Sequence, residues 1–443
     1  MVRLLQYSDV ENVYDDPVRA GRLAGCLRAL SDRDSLVVGT GDNTAPGVVA
    51  LASRGRQALD LFDAVDTAFE TFGNHDFDFG PDAALDIVAD SEATWVSANA
   101  RLDGRPFGRD AGVVPHAVAR VDGERVGFFG VTDPATGSLN PMAADVTFVD
   151  PIAAAREAVS SLGSVDHVVA LSHLGAGDDD LAAVEGVDVV LGGHVHSRRN
   201  ELVGGTRCTR PGVNGEAVCE VDLSTGTATL HDTDAAEPYE PLVDALRDRV
   251  AAAGFDEVVA HVDEPLARDR DTVFGGECRV GNFVADAYRW ATESDVGLQN
   301  SGGLRDGPPL VGAVTTGDLV SLVPFEEQVV TAEVTGAELE AILAESAGEN
   351  LSFGDPDWWH GHVSGVSVAV ANGTTEVSVG GEPLDPDRTY TVGTSDYLLH
   401  TDHEFPTLAQ RHRAGEVGIQ YEVLWAYARS EGVDACVDGR LPK

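Results

Sequence analysis

The 443-residue chain has almost no lysine: Lys443 is the only one, and every other strongly basic side chain is an arginine. Against 30 basic residues stand 74 acidic ones, which gives a formal net charge of −44. A chain this acidic repels phosphate backbones, so we expect no nucleic-acid polymer among its partners. Retention of arginine on an acidic surface indicates adaptation to concentrated salt. Runs such as Asp178-Asp179-Asp180 are therefore interpreted as solvated surface rather than as metal sites.

Cysteine is also scarce, and its spacing excludes a cysteine-based zinc site. The five cysteines are Cys26, Cys208, Cys219, Cys278 and Cys436. We expect them to be small buried apolar side chains. The alternative, a disulfide between Cys208 and Cys219 across a hairpin, would require an oxidising compartment.

Long apolar runs are absent as well. No stretch has the length and apolarity of a membrane span, and no leader with a basic and then an apolar region precedes a first strand predicted at Arg3 to Tyr7. These features predict a protein with no membrane partner that resides in the cytoplasm.

Residues 1 to about 200 alternate short apolar runs with amphipathic segments, which predicts a layered α/β domain. Acidic residues followed by proline mark the helix starts. The predicted helices run from Asp16-Pro17 to Leu30, Pro81-Asp82 to Ala89 and Asp150-Pro151 to Leu162; the predicted strands after the first are Ser35 to Val38, Thr67 to Phe72, Val126 to Val131, Val165 to Leu171 and Val187 to Leu191.

Polar segments follow the carboxyl ends of five of these strands, where ligand sites of open α/β sheets lie. They are Asp9 with Glu11, Gly41-Asp42-Asn43, Gly73 to Gly80, Ser172 to Gly175 and Gly192 to His196. We expect all five to meet at one edge. The stretch from Gly73 to Gly80 would be a polar surface turn if it stood alone, but the four other ligand-rich segments favour a catalytic loop.

Aspartate, asparagine and histidine from several strand ends suit two divalent metal ions. Oxygen ligands favour Mn or Mg, whereas imidazoles also accommodate Zn, Co or Fe. Asp42, alone after a strand and a glycine, is the natural bridge between the two ions. The predicted ligands are Asp9, Glu11, Asp42, Asn74, His173, His194 and His196.

Beyond residue 200 the pattern changes. Residues 202 to 231 are predicted to form β-hairpins, and Glu237 to Pro241 a linker that leads into a helix from about Leu242 to Ala253. From about Phe255 the chain predicts an α+β domain, with a helix from about Asn282 to Thr292 and strands near 327–334 and 363–370.

Together, Gly-Asn-His-Asp-Phe-Asp at Gly73 and Gly-His-Val-His at Gly193 resemble the calcineurin-like metallophosphoesterases, and the whole chain resembles the two-domain 5′-nucleotidase family. It would be an acidic, haloarchaeal-type member. The resemblance implies a layered αββα metallophosphoesterase domain over residues 1–236, a linker helix over 237–254 and a C-terminal 5′-nucleotidase-type domain over 255–443.

The resemblance also implies roles for individual residues. Asp9 and His196 would bind the first metal, Asp42 would bridge, and Asn74, His173 and His194 would bind the second. His75 and Asp78 match the catalytic dyad of the family. Their expected task is to stabilise charge on the phosphoryl group and to protonate the leaving group, while the metals activate water.

One departure from the family concerns the first metal. The family usually has Asp-x-His where this chain has Asp9-Val10-Glu11. A carboxylate in place of an imidazole favours Mn or Mg over Zn. The alternative is that Glu11 only supports a ligand or belongs to the acidic surface.

The second domain carries the expected substrate-binding residues. Asn300-Ser301-Gly302-Gly303-Leu304-Arg305 resembles the family's Asn-x-Gly-Gly-Ile-Arg, in which glycine permits close approach and arginine binds an anionic group. Predicted substrate contacts are Asn300, Gly303, Arg305, Phe325, Tyr397 and Arg279. For Arg305 the alternative is a surface ion pair, and for Phe325 a core position.

Two segments nearby depart from the pattern or invite another interpretation. Between Tyr397 and Phe405 the family has glycines that this chain lacks, which bears on the leaving group. His360 and His362 could bind a metal, but we interpret them as loop residues near the interdomain surface.

The expected activity is metal-dependent hydrolysis of a small nucleotide, as a 5′-nucleotidase that releases phosphate from nucleoside monophosphates. A 2′,3′-cyclic nucleotide phosphodiesterase or a nucleotide-sugar hydrolase would use the same metals. A nucleotide-binding protein without catalysis is a further alternative, against which His75, Asp78 and Asp42 argue.

Overall fold

The computed structural model describes residues 2–351, 357–371 and 374–441. Contacts divide the chain into two compact units, Met1–Ala253 and Gly254–Lys443. Each unit has its own buried apolar clusters, so each has the core of a domain.

Two six-stranded sheets form the centre of the first unit. In spatial order, the first sheet contains Thr227–Asp232, Ala217–Asp222, Arg3–Tyr7, Ser35–Gly39, Thr67–Glu70 and Thr94–Trp95. The second contains Arg199–Val203, Thr206–Arg210, Val189–Gly192, His167–His173, Glu124–Thr132 and His116–Val121. A small sheet of Arg105–Pro106, Ala100–Leu102 and Val146–Phe148 accompanies them.

The two large sheets face each other across a shared apolar core. Phe69 of the first sheet stacks on Phe128 of the second, with ring centroids 4.2 Å apart, and Val38 and Leu171 belong to the same cluster. The outer faces are covered by helices: Pro17–Leu30, Val48–Ser53, Ala58–Val65 and Gly80–Asp90 accompany the first sheet, and Pro151–Leu162 and Asp178–Ala182 the second. The predicted αββα layering is confirmed.

Two of the predicted helix starts in this unit follow local side-chain chemistry. The Asp16 carboxylate accepts hydrogen bonds from the backbone N–H groups of Val18 and Arg19, and Asp150 caps the helix that begins at Pro151 in the same way. Because proline has no N–H to leave unsatisfied, it suits the first helical position.

The region predicted to form β-hairpins contains two hairpins, and each belongs to a different sheet. Arg199–Val203 with Thr206–Arg210 extends the second sheet, whereas Ala217–Asp222 with Thr227–Asp232 extends the first. Cys208 and Cys219 therefore lie in separate sheets, and both are free and buried. Cys436 is exposed, so the expectation that every cysteine is buried was wrong at that position.

The helix Glu240–Ala253 lies within the first unit, against the helix Pro17–Leu30. The Tyr239 N–H donates to the Gly21 carbonyl at 2.8 Å. A Cβ on Gly25 would lie only 1.9 Å from the Glu237 carbonyl oxygen, so this approach requires glycine.

The second unit is built on a five-stranded mixed sheet with helices, which confirms the α+β prediction. Its strands, in spatial order, are Gly361–Ser364, Val296–Asn300, Thr389–Ser395, Gln328–Thr335 and Arg413–Ile419. Smaller sheets pair Val258–Leu266 with Leu310–Thr315, and Val366–Ala371 with Thr374–Val379 and Glu382–Pro383. Its main helices are Arg279–Thr292, Gly336–Glu345 and Gln420–Glu431, and shorter ones are Arg270–Phe274, Thr316–Val320 and Tyr397–His400.

Across the described ranges, none of the helices combines the length and the apolarity that crossing a bilayer would require.

Replacement of Phe69 by alanine should lower the free energy of unfolding by about 3–5 kcal/mol, because the change removes an aromatic ring from the core between the sheets. Chemical denaturation followed by tryptophan fluorescence would measure it. Phe69→Leu, which keeps most of the volume, should cost less. Equal stability of Phe69→Ala and the parent would contradict the packing described.

Candidate functional site

The polar segments at the strand ends meet at one edge of the first unit, as the sequence predicts. Strands Arg3–Tyr7, Ser35–Gly39 and Thr67–Glu70 run parallel in one sheet, and His167–His173 runs parallel to Val189–Gly192 in the other. Three groups of side chains there bring possible metal-ligand atoms within 4.8 Å of one another. The groups are Asp9, Glu11 and His196; Asp42, His173 and His194; and Glu11, Asp42 and His75.

The first group gathers around Glu11, which is 2% exposed. Nε2 of His196 lies 3.0 Å from Oε1 of Glu11 and 4.0 Å from Oδ1 of Asp9. The Glu11 carboxylate is therefore part of the cluster, not of the outer acidic surface.

The second group gathers around Asp42. Nδ1 of His173 donates to the Thr40 carbonyl at 2.8 Å, which leaves Nε2 facing Oδ2 of Asp42 at 3.0 Å. This hydrogen bond selects the tautomer whose Nε2 can act as a ligand. The His194 ring lies beside that of His173, with centroids 5.0 Å apart.

Four residues of this edge adopt left-handed backbone conformations that are uncommon outside glycine. They are Asp9, Glu11, Asp42 and His194, with φ of 48°, 47°, 55° and 71°. Such strain concentrates at functional sites, where surrounding contacts enforce it. Here the Asp9 N–H donates to the Gly41 carbonyl at 3.0 Å, and the Glu11 N–H to the Asp42 carbonyl at 3.2 Å.

His75 and Asp78 lie beside the second group. Nδ1 of His75 is 3.1 Å from both carboxylate oxygens of Asp78, which orients the ring. The backbone N–H of His75 donates to Oδ1 of Asp42 at 2.7 Å and so joins the pair to the carboxylate expected to bridge the metals. Asn140 donates to Asp78 at 2.8 Å and to the Asn74 carbonyl at 2.7 Å.

Asp76 is a supporting residue that sequence reasoning missed, although it lies inside the predicted catalytic loop. Its buried carboxylate accepts backbone N–H groups from Gly73 at 2.7 Å, Asp42 at 2.9 Å, Thr44 at 3.1 Å and Asn43 at 3.2 Å. Backbone donors leave no trace in the sequence, so only the structure reveals that this side chain joins two loops.

Asp133 was also missed, yet a signal for it existed. It follows the strand Glu124–Thr132, whose carboxyl end lies at the same edge because the strand is parallel to His167–His173. Oδ2 of Asp133 lies 3.5 Å from Nε2 of His194, and its backbone N–H donates to the His173 carbonyl at 3.0 Å. Extending the inspection of strand ends to this strand would have found it.

Burial and mutual charge dominate the electrostatics of the edge. Burial raises the pKa of Asp9 to about 6, against the opposing effect of the His173 and His196 charges. Burial opposes ionisation of Asp42 too, but the neighbouring His173 charge prevails and holds the pKa of Asp42 at about 2. Burial, reinforced by the charge of His173, lowers the pKa of His194 to about 3, so its ring is neutral.

A second set of predicted residues lies in the second unit, at one edge of the five-stranded sheet. Asn300 ends the strand Val296–Asn300, and Tyr397 lies two residues beyond the parallel strand Thr389–Ser395. A Cβ on Gly303 would lie 2.3 Å from Nε2 of Gln299, so this turn requires glycine.

Arg305 and Phe325 lie together in this unit. The guanidinium carbon of Arg305 lies 5.8 Å from the centroid of the Phe325 ring, within cation–π range. Both side chains are partly exposed. Exposure of Phe325 is at odds with a fully buried core position.

Arg279 is held by other partners. Its guanidinium donates to the carbonyl oxygens of Ala435 at 2.8 Å and Glu264 at 3.0 Å, and to the Asp434 carboxylate at 2.6 Å. Its proposed substrate contact therefore remains a prediction that competes with these bonds.

The prediction that His360 and His362 are loop residues was wrong for His362, whereas His360 directly precedes a strand. Both are buried, at 1% and 0% exposure, and His362 lies in the strand Gly361–Ser364. Nε2 of His362 contacts the Ser301 hydroxyl at 3.1 Å. The two imidazoles are internal hydrogen-bonding groups of the second unit.

Comparison with known proteins assigns a family to each of the two units. Residues 2–198 match the calcineurin-like phosphoesterase family, and residues 258–410 match the 5′-nucleotidase C-terminal domain. One match lies in each compact unit, so the chain combines a calcineurin-like phosphoesterase domain with a 5′-nucleotidase C-terminal domain.

Individual relatives are distant. The trifunctional nucleotide phosphoesterase protein YfkN of Bacillus subtilis is 24% identical over 84% of this chain, which spans only 30% of that protein's length. The 5′-nucleotidase of Diplobatis ommata is 24% identical over 94% of this chain and 82% of its own length. The crystal structure of a 5′-nucleotidase precursor from Thermus thermophilus has a TM-score of 0.82 at 24% identity and covers 100% of this chain and 99% of that one. At this identity, it shows a shared fold.

The donor set of the phosphoesterase domain fits divalent metal ions, which this family requires. Carboxylates, imidazoles and one amide are ligands that such ions accept. Oδ1 of Asn74 is buried and accepts no hydrogen bond from any group in the described ranges, as expected of an oxygen kept for a cation. Asp9, Glu11, Asp42, Asn74, His173, His194 and His196 would hold the ions.

Asp42→Asn should remove most of the bound metal from the phosphoesterase domain, because an amide lacks the charge needed to bridge two cations. His75→Ala should keep the metal and lower turnover by roughly 10²–10⁴, the usual contribution of a general acid. Metal content after dialysis, measured by mass spectrometry, separates the two.

Asp180→Asn is the matched control, since Asp180 is exposed. The interpretation of its acidic run as solvated surface was wrong for Asp178, which is 1% exposed and accepts a hydrogen bond from Arg210 at 2.9 Å. It should change neither property. Loss of metal from the His75→Ala protein would mean that His75 is itself a ligand.

Proposed function

We propose that this protein is a divalent-metal-dependent 5′-nucleotidase that releases phosphate from nucleoside monophosphates. The observation that carries the proposal is the placement of the His75–Asp78 pair on the metal-ligand cluster, through the hydrogen bond from the His75 N–H to Asp42. A phosphoester bound at the cluster would thus have an oriented imidazole beside it.

The residues of the site divide the proposed reaction between them. Metal ions bound by the ligand set would supply Lewis-acid polarisation of the phosphoryl group and activation of water. Asp78 accepts a hydrogen bond from Nδ1–H of His75, so that Nε2 is the ring atom that can face the substrate and, when protonated, donate to it. As charge builds on the leaving oxygen, His75 can stabilise it and donate a proton.

Recognition of the nucleoside is assigned to the C-terminal domain in this proposal. The half-exposed Arg305 and Phe325 offer a cation and an aromatic face for an anionic, planar ligand. Tyr397, Asn300 and Gly303 shape the same sheet edge. Two relatives named as nucleotide phosphoesterase and 5′-nucleotidase support this substrate class.

The proposal also includes the preferred metal and the salt concentration in which the protein functions. A first site made of Asp9, Glu11 and His196 has two carboxylates and one imidazole, which favours Mn or Mg over Zn. The excess of 74 acidic over 30 basic residues supports function in concentrated salt. Cytoplasmic location remains a prediction from the sequence.

The direct test is phosphate release in concentrated KCl from nucleoside monophosphates, 2′,3′-cyclic nucleotides and nucleotide sugars, with Mn, Mg, Zn or Co supplied separately. We expect monophosphates to be the best substrates and Mn or Mg the best metals. Preferential cleavage of cyclic nucleotides or nucleotide sugars would replace the proposed substrate. Bound metal without turnover of any compound would favour a binding protein.

Glu11→His should shift metal selectivity from Mn towards Zn, because it replaces a hard oxygen ligand with an imidazole. Competitive equilibrium dialysis with both metals measures the ratio bound. Glu11→Gln controls for loss of charge alone. If Glu11→Ala leaves metal content and the ratio unchanged, Glu11 is not a ligand.

A further inference from the structure

A buried carboxylate at the substrate edge of the C-terminal domain joins residues that come from three segments of the chain. Glu404 is 7% exposed. Its Oε1 accepts a hydrogen bond from the Tyr397 hydroxyl at 3.2 Å, and its Oε2 accepts one from Nδ2 of Asn300 at 3.1 Å. Nε2 of His360 also donates to Oε2. Both carboxylate oxygens are thus engaged inside the protein.

The sheet explains why these groups meet. Three adjacent strands, Gly361–Ser364, Val296–Asn300 and Thr389–Ser395, bring their ends to one edge. His360 directly precedes the first of them, Asn300 ends the second, and Tyr397 follows the third. The next strand, Gln328–Thr335, begins at the same edge three residues after Phe325.

The charges and hydrogen bonds around Glu404 determine which groups of the network are protonated. Burial works to raise the pKa of Glu404, but the His360 imidazole and the donors Asn300 and Tyr397 prevail and lower it. Burial and the Glu404 charge raise the pKa of Tyr397 well above its usual range, so the phenol keeps its proton and donates. The carboxylate is ionised and its acceptor capacity is used by fixed partners.

Two hydrogen-bond partners of Glu404 connect it to the residues proposed to bind the nucleoside. The hydroxyl bond fixes the tilt of the partly exposed Tyr397 ring. Asn300 is 2% exposed, and its Oδ1 accepts from Nε2 of Gln299 at 2.9 Å, so both ends of its amide are held. Asn300 is the residue from which the turn Ser301–Gly303 departs towards Arg305.

We propose that Glu404 is a positioning residue for nucleoside recognition, which fixes the Tyr397 ring and, through Asn300, the turn that leads to Arg305. It does not contact the substrate itself, because its own oxygens are buried and engaged. The inference rests on the proposed function and assigns part of its substrate specificity to a residue that sequence analysis left without a role.

The competing explanation is a polar network that only stabilises the domain. Two substrates separate the explanations. A nucleoside monophosphate needs both the phosphoesterase site and nucleoside recognition, whereas p-nitrophenyl phosphate offers the same class of bond without a nucleoside. A positioning role predicts an effect on the KM of the nucleotide alone, while loss of stability lowers the activity towards both.

The experiment compares the full-length, metal-loaded protein with Glu404→Gln, which removes the carboxylate charge and replaces one of the two accepting oxygens with an NH₂ group. We expect KM for the best nucleoside monophosphate to rise roughly tenfold, the size of one lost charged hydrogen bond. The kcat/KM for p-nitrophenyl phosphate should stay within about twofold of the parent, well below the tenfold that 1.4 kcal/mol represents.

Tyr397→Phe removes only the hydroxyl that donates to Glu404 and keeps the ring. If Glu404 acts partly through Tyr397, the double variant Tyr397→Phe/Glu404→Gln should raise KM by less than the product of the two single effects. The matched control is Asp402→Asn, since Asp402 lies exposed in the same loop. It should leave both substrates unaffected.

An unchanged nucleotide KM in a Glu404→Gln protein of parental Tm would overturn the inference. So would equal losses on both substrates together with a lower Tm, which would assign the network to stability. Failure of the unaltered protein on every nucleotide, with p-nitrophenyl phosphate still cleaved, would overturn the proposed function and this inference with it.

Discussion

One buried carboxylate fixes the relative positions of the loops that hold the predicted metal ligands. Asp76 collects the backbone N–H groups of Gly73, Asp42, Asn43 and Thr44, and thereby ties the loop after one strand to the loop after its neighbour. One loop holds the expected bridging ligand, and the other holds His75 and Asn74. Burial and the Asp42 charge raise the pKa of Asp76, against the opposing effect of the hydrogen bonds that its carboxylate accepts. Together with the hydrogen bond from the His75 N–H to Oδ1 of Asp42, the bonds of Asp76 hold the two loops in contact.

That approach leaves no room for larger residues. A Cβ on Gly73 would lie 2.2 Å from Oδ1 of Asp42, so the glycine is needed for contact between the loops. Asp9, Glu11, Asp42 and His194 adopt left-handed backbone conformations at the same crowded edge. Strand ends that must turn at once to present ligands inward accept strained conformations, which the surrounding hydrogen bonds maintain.

Much of this arrangement was predictable because its signals are local. Apolar runs followed by Asp, Asn or His mark ligands at strand ends, and the aspartate–proline pairs at Asp16 and Asp150 mark helix starts. What could not be predicted depends on tertiary pairing. The bonds of Asp76 go to backbone groups, and Glu404 meets His360 only because distant strands are adjacent in the sheet. The burial of His360 and His362 also depends on the pairing of distant strands. The residues around them, two tryptophans and a glycine, show no alternation of apolar and polar side chains that would predict a strand.

The order of the ligands along the chain has a consequence for assembly. The hydrogen bond from the His194 N–H to Asp9 joins residues separated by 185 positions, and Nε2 of His173 meets an aspartate 131 positions away. Contacts of such sequence separation form late, after the loops between them have closed. Both sheets must therefore form before the chain has a binding site for cations. A cation that binds there would stabilise the folded domain, because the unfolded chain does not hold these ligands together.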